Sequence, residues 1–73
     1  LNHVEVYQKS DISTISVVCK NINYDIINKI FNIFKENNID FKQVFTSELS
    51  MSFIVDNKYR QRFIELLGVE FDL

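Results

Sequence analysis

No proline interrupts these 73 residues, and glycine, cysteine and histidine occur once each. Each shortage closes off a kind of architecture or chemistry. Without proline or a Ser/Gly-rich stretch the chain offers no internal linker, and no repeat of fixed period appears, so it reads as one unit. Gly68 stands alone, so there are no closely spaced glycines to fold backbone amides around a phosphate, which excludes a P-loop or a dinucleotide-binding turn. Cys19 can make no internal disulfide and has no CxxC or CxxH neighbour; it reads as a small apolar residue at a strand end rather than a metal ligand. His3 lies too near a terminus to be a positioned base, and no nucleophile-elbow motif occurs. No catalytic residue, metal or cofactor is therefore assigned.

No apolar run approaches the ~20 residues that a membrane span needs. The net charge of −2 and pI near 5.2 create no field that would draw in phosphate backbones or anionic lipid, so neither nucleic acid nor membrane is an expected partner. A lone cysteine and the lack of a secretory pattern point to a reducing, cytoplasmic setting. Leu1 in place of a methionine suggests a domain excised from something larger.

What is present is a globular composition, 47% apolar and 25% charged. Val4 to Tyr7 reads as a short strand, interrupted by Lys9 to Asp11. Ile12 to Cys19, rich in β-branched residues, reads as a buried strand. From Asn23 the period becomes helical, with Ile27, Ile30, Phe31 and Phe34 on one stripe, Asn23 as N-cap and Asp25 in the first turn. Asn37 and Asn38 supply the left-handed residue that ends the helix.

Asp40 to Thr46 and Leu49 to Asp56 form an antiparallel pair joined at Thr46-Ser47-Glu48, with Leu49, Met51, Phe53 and Val55 on one face. Asn57 is placed as the cap of a second helix with stripe Tyr59, Phe63, Leu66 and Leu67, stopped at Gly68, and Val69 to Leu73 as a last strand. After the lead-in, residues 1–10, the order over 11–73 is β-α-β-β-α-β. This is an α+β, ferredoxin-like arrangement: an antiparallel sheet with both helices on one face and the other face uncovered.

That fold class also hosts RNA-recognition modules, and Phe41, Phe45 and Phe53 could imitate their stacking platform. The basic, glycine-and-aromatic signature of those modules is missing, so these residues are assigned to the core or an interface. Lys58, Arg60 and Arg62 read as a solvated helix face balanced by Glu65 and Asp56.

The run Ile15-Ser16-Val17-Val18, then a loop, then Ile30-Phe31-x-Ile33-Phe34-Lys35-Glu36-Asn37-Asn38-Ile39, resembles the opening of the ACT domain of an aspartokinase (aspartate kinase). Val44-Phe45-Thr46-Ser47-Glu48-Leu49-Ser50-Met51-Ser52-Phe53-Ile54-Val55-Asp56 is similar to that family's second and third strands, including a Thr-Ser-Glu turn. Val4-Glu5-Val6 resembles the strand preceding the last, C-terminal ACT domain of these enzymes.

The resemblance implies a regulatory domain, not itself an enzyme, that binds an amino-acid effector, threonine or lysine. It would relay that effector to a kinase domain elsewhere, in the feedback control of lysine biosynthesis. It also implies a homodimer, with copies pairing edge to edge or face to face. By position, Ile22, Asn23, Tyr24 and Asp25 of the loop and Thr46, Ser47 and Glu48 of the turn would form the effector site. Amides at a helix start can hold a carboxylate, and hydroxyl and carboxylate groups can receive an ammonium.

The family's loop carries a glycine pair before a Met and a Pro-Gly opening the helix, whose glycines let backbone approach a ligand closely; here Cys19, Asn21, Tyr24 and Asp25 occupy the corresponding places. Lys42 stands where lysine-sensing relatives carry an acid. A ligand-free structural dimerisation module is therefore the alternative reading.

Overall fold

The computed structural model describes residues 3–72. Its elements are β1 (His3–Lys9), β2 (Ile12–Val18), α1 (Tyr24–Glu36), β3 (Gln43–Thr46), β4 (Ser50–Asp56) and α2 (Asn57–Phe71). All four strands join one antiparallel sheet in the order β1-β2-β4-β3, with both helices packed on one face. The fold is α+β and ferredoxin-like, as the element pattern implies.

Period-2 alternation decides which sheet face is buried. Ile15 and Val17 of β2 and Met51, Phe53 and Val55 of β4 point toward the helices and are buried with Ile30, Ile33 and Phe34 of α1 and Phe63 and Leu67 of α2. Phenylalanines dominate the centre: the rings of Phe34 and Phe63 stack with centroids 4.6 Å apart, and Phe53 lies 5.0 Å from Phe34 and 5.7 Å from Phe63. Phe31 and Phe41 close this cluster from outside, 5.7 Å apart. Phe41 and Phe53 thus belong to the helix side of the sheet. Phe45 lies on the other face, opposite Ser52 in the ladder, and is exposed.

The C-terminal segment corrects one expectation. The strand expected over Val69 to Leu73 is absent over its described part: α2 runs through Gly68 to Phe71 and ends at Asp72, whose backbone is left-handed (φ 57°, ψ 48°) and whose amide bonds the Gly68 carbonyl. Leu73 lies outside the described residues. The physical reason lies at the other terminus. The sheet edge beside β2, where a last strand would pair, is occupied by β1 along seven consecutive register pairs, from His3↔Val18 to Lys9↔Ile12. A helical Phe71 packs on the core instead.

The two expected N-caps have different outcomes. Asn23 does cap α1, its side-chain oxygen accepting the Ile26 amide at 3.0 Å, and Asn38 takes the left-handed turn at φ 54°. Asn57, expected to cap α2, is instead the first helical residue, and Asp56 precedes it without a side-chain cap bond. The Asn57 side chain is drawn inward by the β1–β2 turn, donating to the Ser10 carbonyl at 2.7 Å and accepting from the Ser13 hydroxyl at 2.6 Å.

Candidate functional site

The connection from β2 to α1 and the turn from β3 to β4 are far apart in sequence but meet at one end of the sheet. The Cys19 amide donates to the Leu49 carbonyl at 2.9 Å and the Ile22 amide to the Glu48 carbonyl at 3.1 Å. These two bonds extend the β2–β4 pairing past Val18↔Ser50 into the loops. Of the residues expected to form a site, they join Ile22 to Glu48; Asn23, Tyr24 and Asp25 lead on from Ile22 into α1, and Thr46 and Ser47 precede Glu48 in the turn.

Against this junction opens a shallow cleft of about 390 Å³, lined by Ile22, Asn23, Tyr24 and Ile27. Its walls are mainly apolar. Tyr24 stands 83% exposed at the rim, and Leu49, also exposed, belongs to the neighbouring turn. Ile27 was legible only as the first member of the α1 core stripe. It is half-buried, packed against the core and also lining the cleft.

The polar groups divide into committed and available. The Asn23 side chain is committed to the cap, and Ile27 already uses the Asn23 carbonyl at 3.0 Å. The amides of Tyr24 and Asp25 have no intrahelical partner, as in any first turn, and they carry the positive end of the α1 dipole. The Asp25 carboxylate sits at this positive end and pairs with Lys29 at 3.3 Å.

Within the turn, the Ser47 hydroxyl accepts the amides of Leu49 (3.3 Å) and Ser50 (3.1 Å) while its own amide donates to the Ser50 carbonyl at 2.8 Å. Ser47 therefore holds the hairpin closed. Thr46 and Glu48 expose their side chains beside it. Lys42 is engaged elsewhere, its ammonium 3.4 Å from Asp56.

Cys19 is buried and points away from solvent. Among the described residues no group of three or more His, Cys, Asp or Glu could hold a metal ion, and no helix is long and apolar enough to cross a membrane.

The fold defines the class of protein: a small α+β domain with one open sheet face. Comparison with protein-family models finds no match, and a search of curated proteins finds none.

Proposed function

We propose that this chain is a non-catalytic regulatory domain of ACT type from a cytoplasmic aspartokinase. In this reading it binds an amino-acid effector, threonine or lysine, in the cleft at the start of α1, and pairs with a second copy so that occupancy reaches a kinase domain elsewhere in the parent enzyme. The observation that carries the reading is the hydrogen bond from the Ile22 amide to the Glu48 carbonyl, which ties the turn to Ile22, one of the residues that line the cleft. The free amides of Tyr24 and Asp25 suit a ligand carboxylate, Glu48 and Thr46 suit an ammonium, and Ile22 and Ile27 offer apolar contact for a side chain.

The test is a thermal melt over threonine and lysine concentration series, because a ligand that binds only the folded state raises the midpoint by mass action. A rise with one amino acid, lost in Tyr24→Pro but kept in a distant surface variant, identifies the effector and the site. No rise with either amino acid rejects effector binding by this domain.

Two observations favour the alternative, a ligand-free dimerisation module. The Ser47 hydroxyl is spent on the turn, and Asp25, in the first turn of α1, puts a negative charge near the amides that a ligand carboxylate would need. A flat melt combined with self-association would select it.

A further inference from the structure

The cleft at the start of α1 has walls of one kind. Ile22, Tyr24 and Ile27 make it mainly apolar, and Asn23 is the one polar amide side chain in the lining, with its oxygen already accepting the Ile26 amide. No charged residue belongs to the lining. At about 390 Å³ the space is ample for a whole amino acid, so its chemistry rather than its size does the choosing.

The nearest carboxylates along the chain are limited in what they can receive. Asp25 follows Tyr24 but pairs with Lys29 at 3.3 Å. Glu48, whose carbonyl takes the Ile22 amide, is exposed and makes no ion pair among the described residues. An amino acid brings an α-ammonium, and Glu48 can answer that one charge. A second ammonium at the end of a side chain then lies against Ile22 and Ile27 with no partner, and loses water without a compensating bond.

A side-chain hydroxyl is a milder case. It is not repelled, but the apolar wall offers it nothing, whereas a methyl in its place removes hydrocarbon from water on both sides of the contact. An enclosed site tells the two apart by about a hundredfold; this cleft is shallow and open, so the factor expected here is about three to ten.

We infer that the cleft selects its amino acid by hydrocarbon in the side chain, so that valine and isoleucine bind ahead of threonine and lysine is refused. The inference rests on the reading that this cleft is the effector site. It narrows the two effectors of that reading to threonine and sets the short branched aliphatic amino acids above it, with Ile22 and Ile27 as the residues that decide.

Pairs of ligands that differ at one group test it, through thermal midpoints measured over a concentration series of each. Valine has threonine's shape with a methyl for the hydroxyl, and norleucine has lysine's four-carbon chain without the terminal ammonium. Valine should reach a given rise at about a third to a tenth of the threonine concentration, and norleucine should raise the midpoint at concentrations where lysine does not. Ile27→Thr puts a hydroxyl into the wall with little change of shape and should bring the valine-to-threonine ratio toward one; both ligands are read on the same variant, so a change in its stability cancels. If that variant does not fold, Ile22→Thr makes the same comparison. Threonine as effective as valine, or lysine as effective as norleucine, overturns the selectivity and leaves the effector reading standing, and a midpoint that no amino acid moves overturns both.

Discussion

Ser13 and Asn57 are joined by a 2.6 Å hydrogen bond from the Ser13 hydroxyl to the Asn57 side-chain carbonyl, linking the buried face of β2 to the first residue of α2. Ser13 is fully buried and lies opposite Val55, on the face that otherwise carries apolar residues. Asn57 also donates to the Ser10 carbonyl, and its own amide bonds the Asp11 carbonyl at 2.9 Å. One side chain therefore satisfies the buried hydroxyl and fixes the β1–β2 turn against the start of the helix.

Removing that side chain should be costly. Asn57→Ala removes the hydrogen-bond partner of the fully buried Ser13 and should lower the unfolding free energy by about 2 kcal/mol in urea denaturation. The double variant with Ser13→Ala should recover part of this loss, because no polar group is then left unpaired.

The phenylalanine cluster should respond more strongly still. Phe53 is fully buried and contacts the rings of Phe31, Phe34, Phe41 and Phe63. Phe53→Ala should cost about 3–5 kcal/mol. At roughly 0.05–0.15 kcal/mol per residue, the whole domain has a stability of the same order, so this variant should give no cooperative melt at ambient temperature.

Gly68 offers the opposite effect. It lies inside α2, its φ is negative, and a Cβ built there would meet nothing within 4 Å. Gly68→Ala should stabilise the domain by about 0.5–1 kcal/mol and raise the melting temperature by a few degrees. A fall in the midpoint would show that the helix does not pass through this position.

The left-handed turns should differ from each other. Ser10 has φ 57° and Asn38 φ 54°, but asparagine tolerates that region far better than serine does. Ser10→Gly should therefore stabilise by up to about 1 kcal/mol, and Asn38→Gly by less, when the two are compared in the same denaturant titration.

Much of the fold was legible in local pattern. The stripe ending in Ile30 and Phe34, the Asn23 cap, the Asn38 turn and the alternation of Met51, Phe53 and Val55 each depend on neighbours within a few residues, so short-range periodicity and capping chemistry were enough to place α1, β2 and β4. The candidate site was legible as two short segments, 22–25 and 46–48, of matching polarity. Their meeting through the Ile22 amide and the Glu48 carbonyl was not, because backbone bonds between distant loops leave no mark on side-chain composition.

The sequence by itself determined the α+β class, the order from β1 to α2, and the absence of glycine-rich phosphate turns and disulfides, since these follow from residue type and spacing. The tertiary structure alone decided the edge of the sheet. Val69 to Phe71 carries an alternation compatible with a strand, yet β1 already fills the place beside β2, so the segment satisfies its backbone as helix and buries Phe71 against the core. It likewise decided that Asn57 turns inward rather than capping α2, because only the folded chain brings the Ser10 carbonyl and the buried Ser13 hydroxyl within its reach. The Ser13 hydroxyl is fully buried, so the Asn57 side chain supplies the hydrogen bond that would otherwise be lost there.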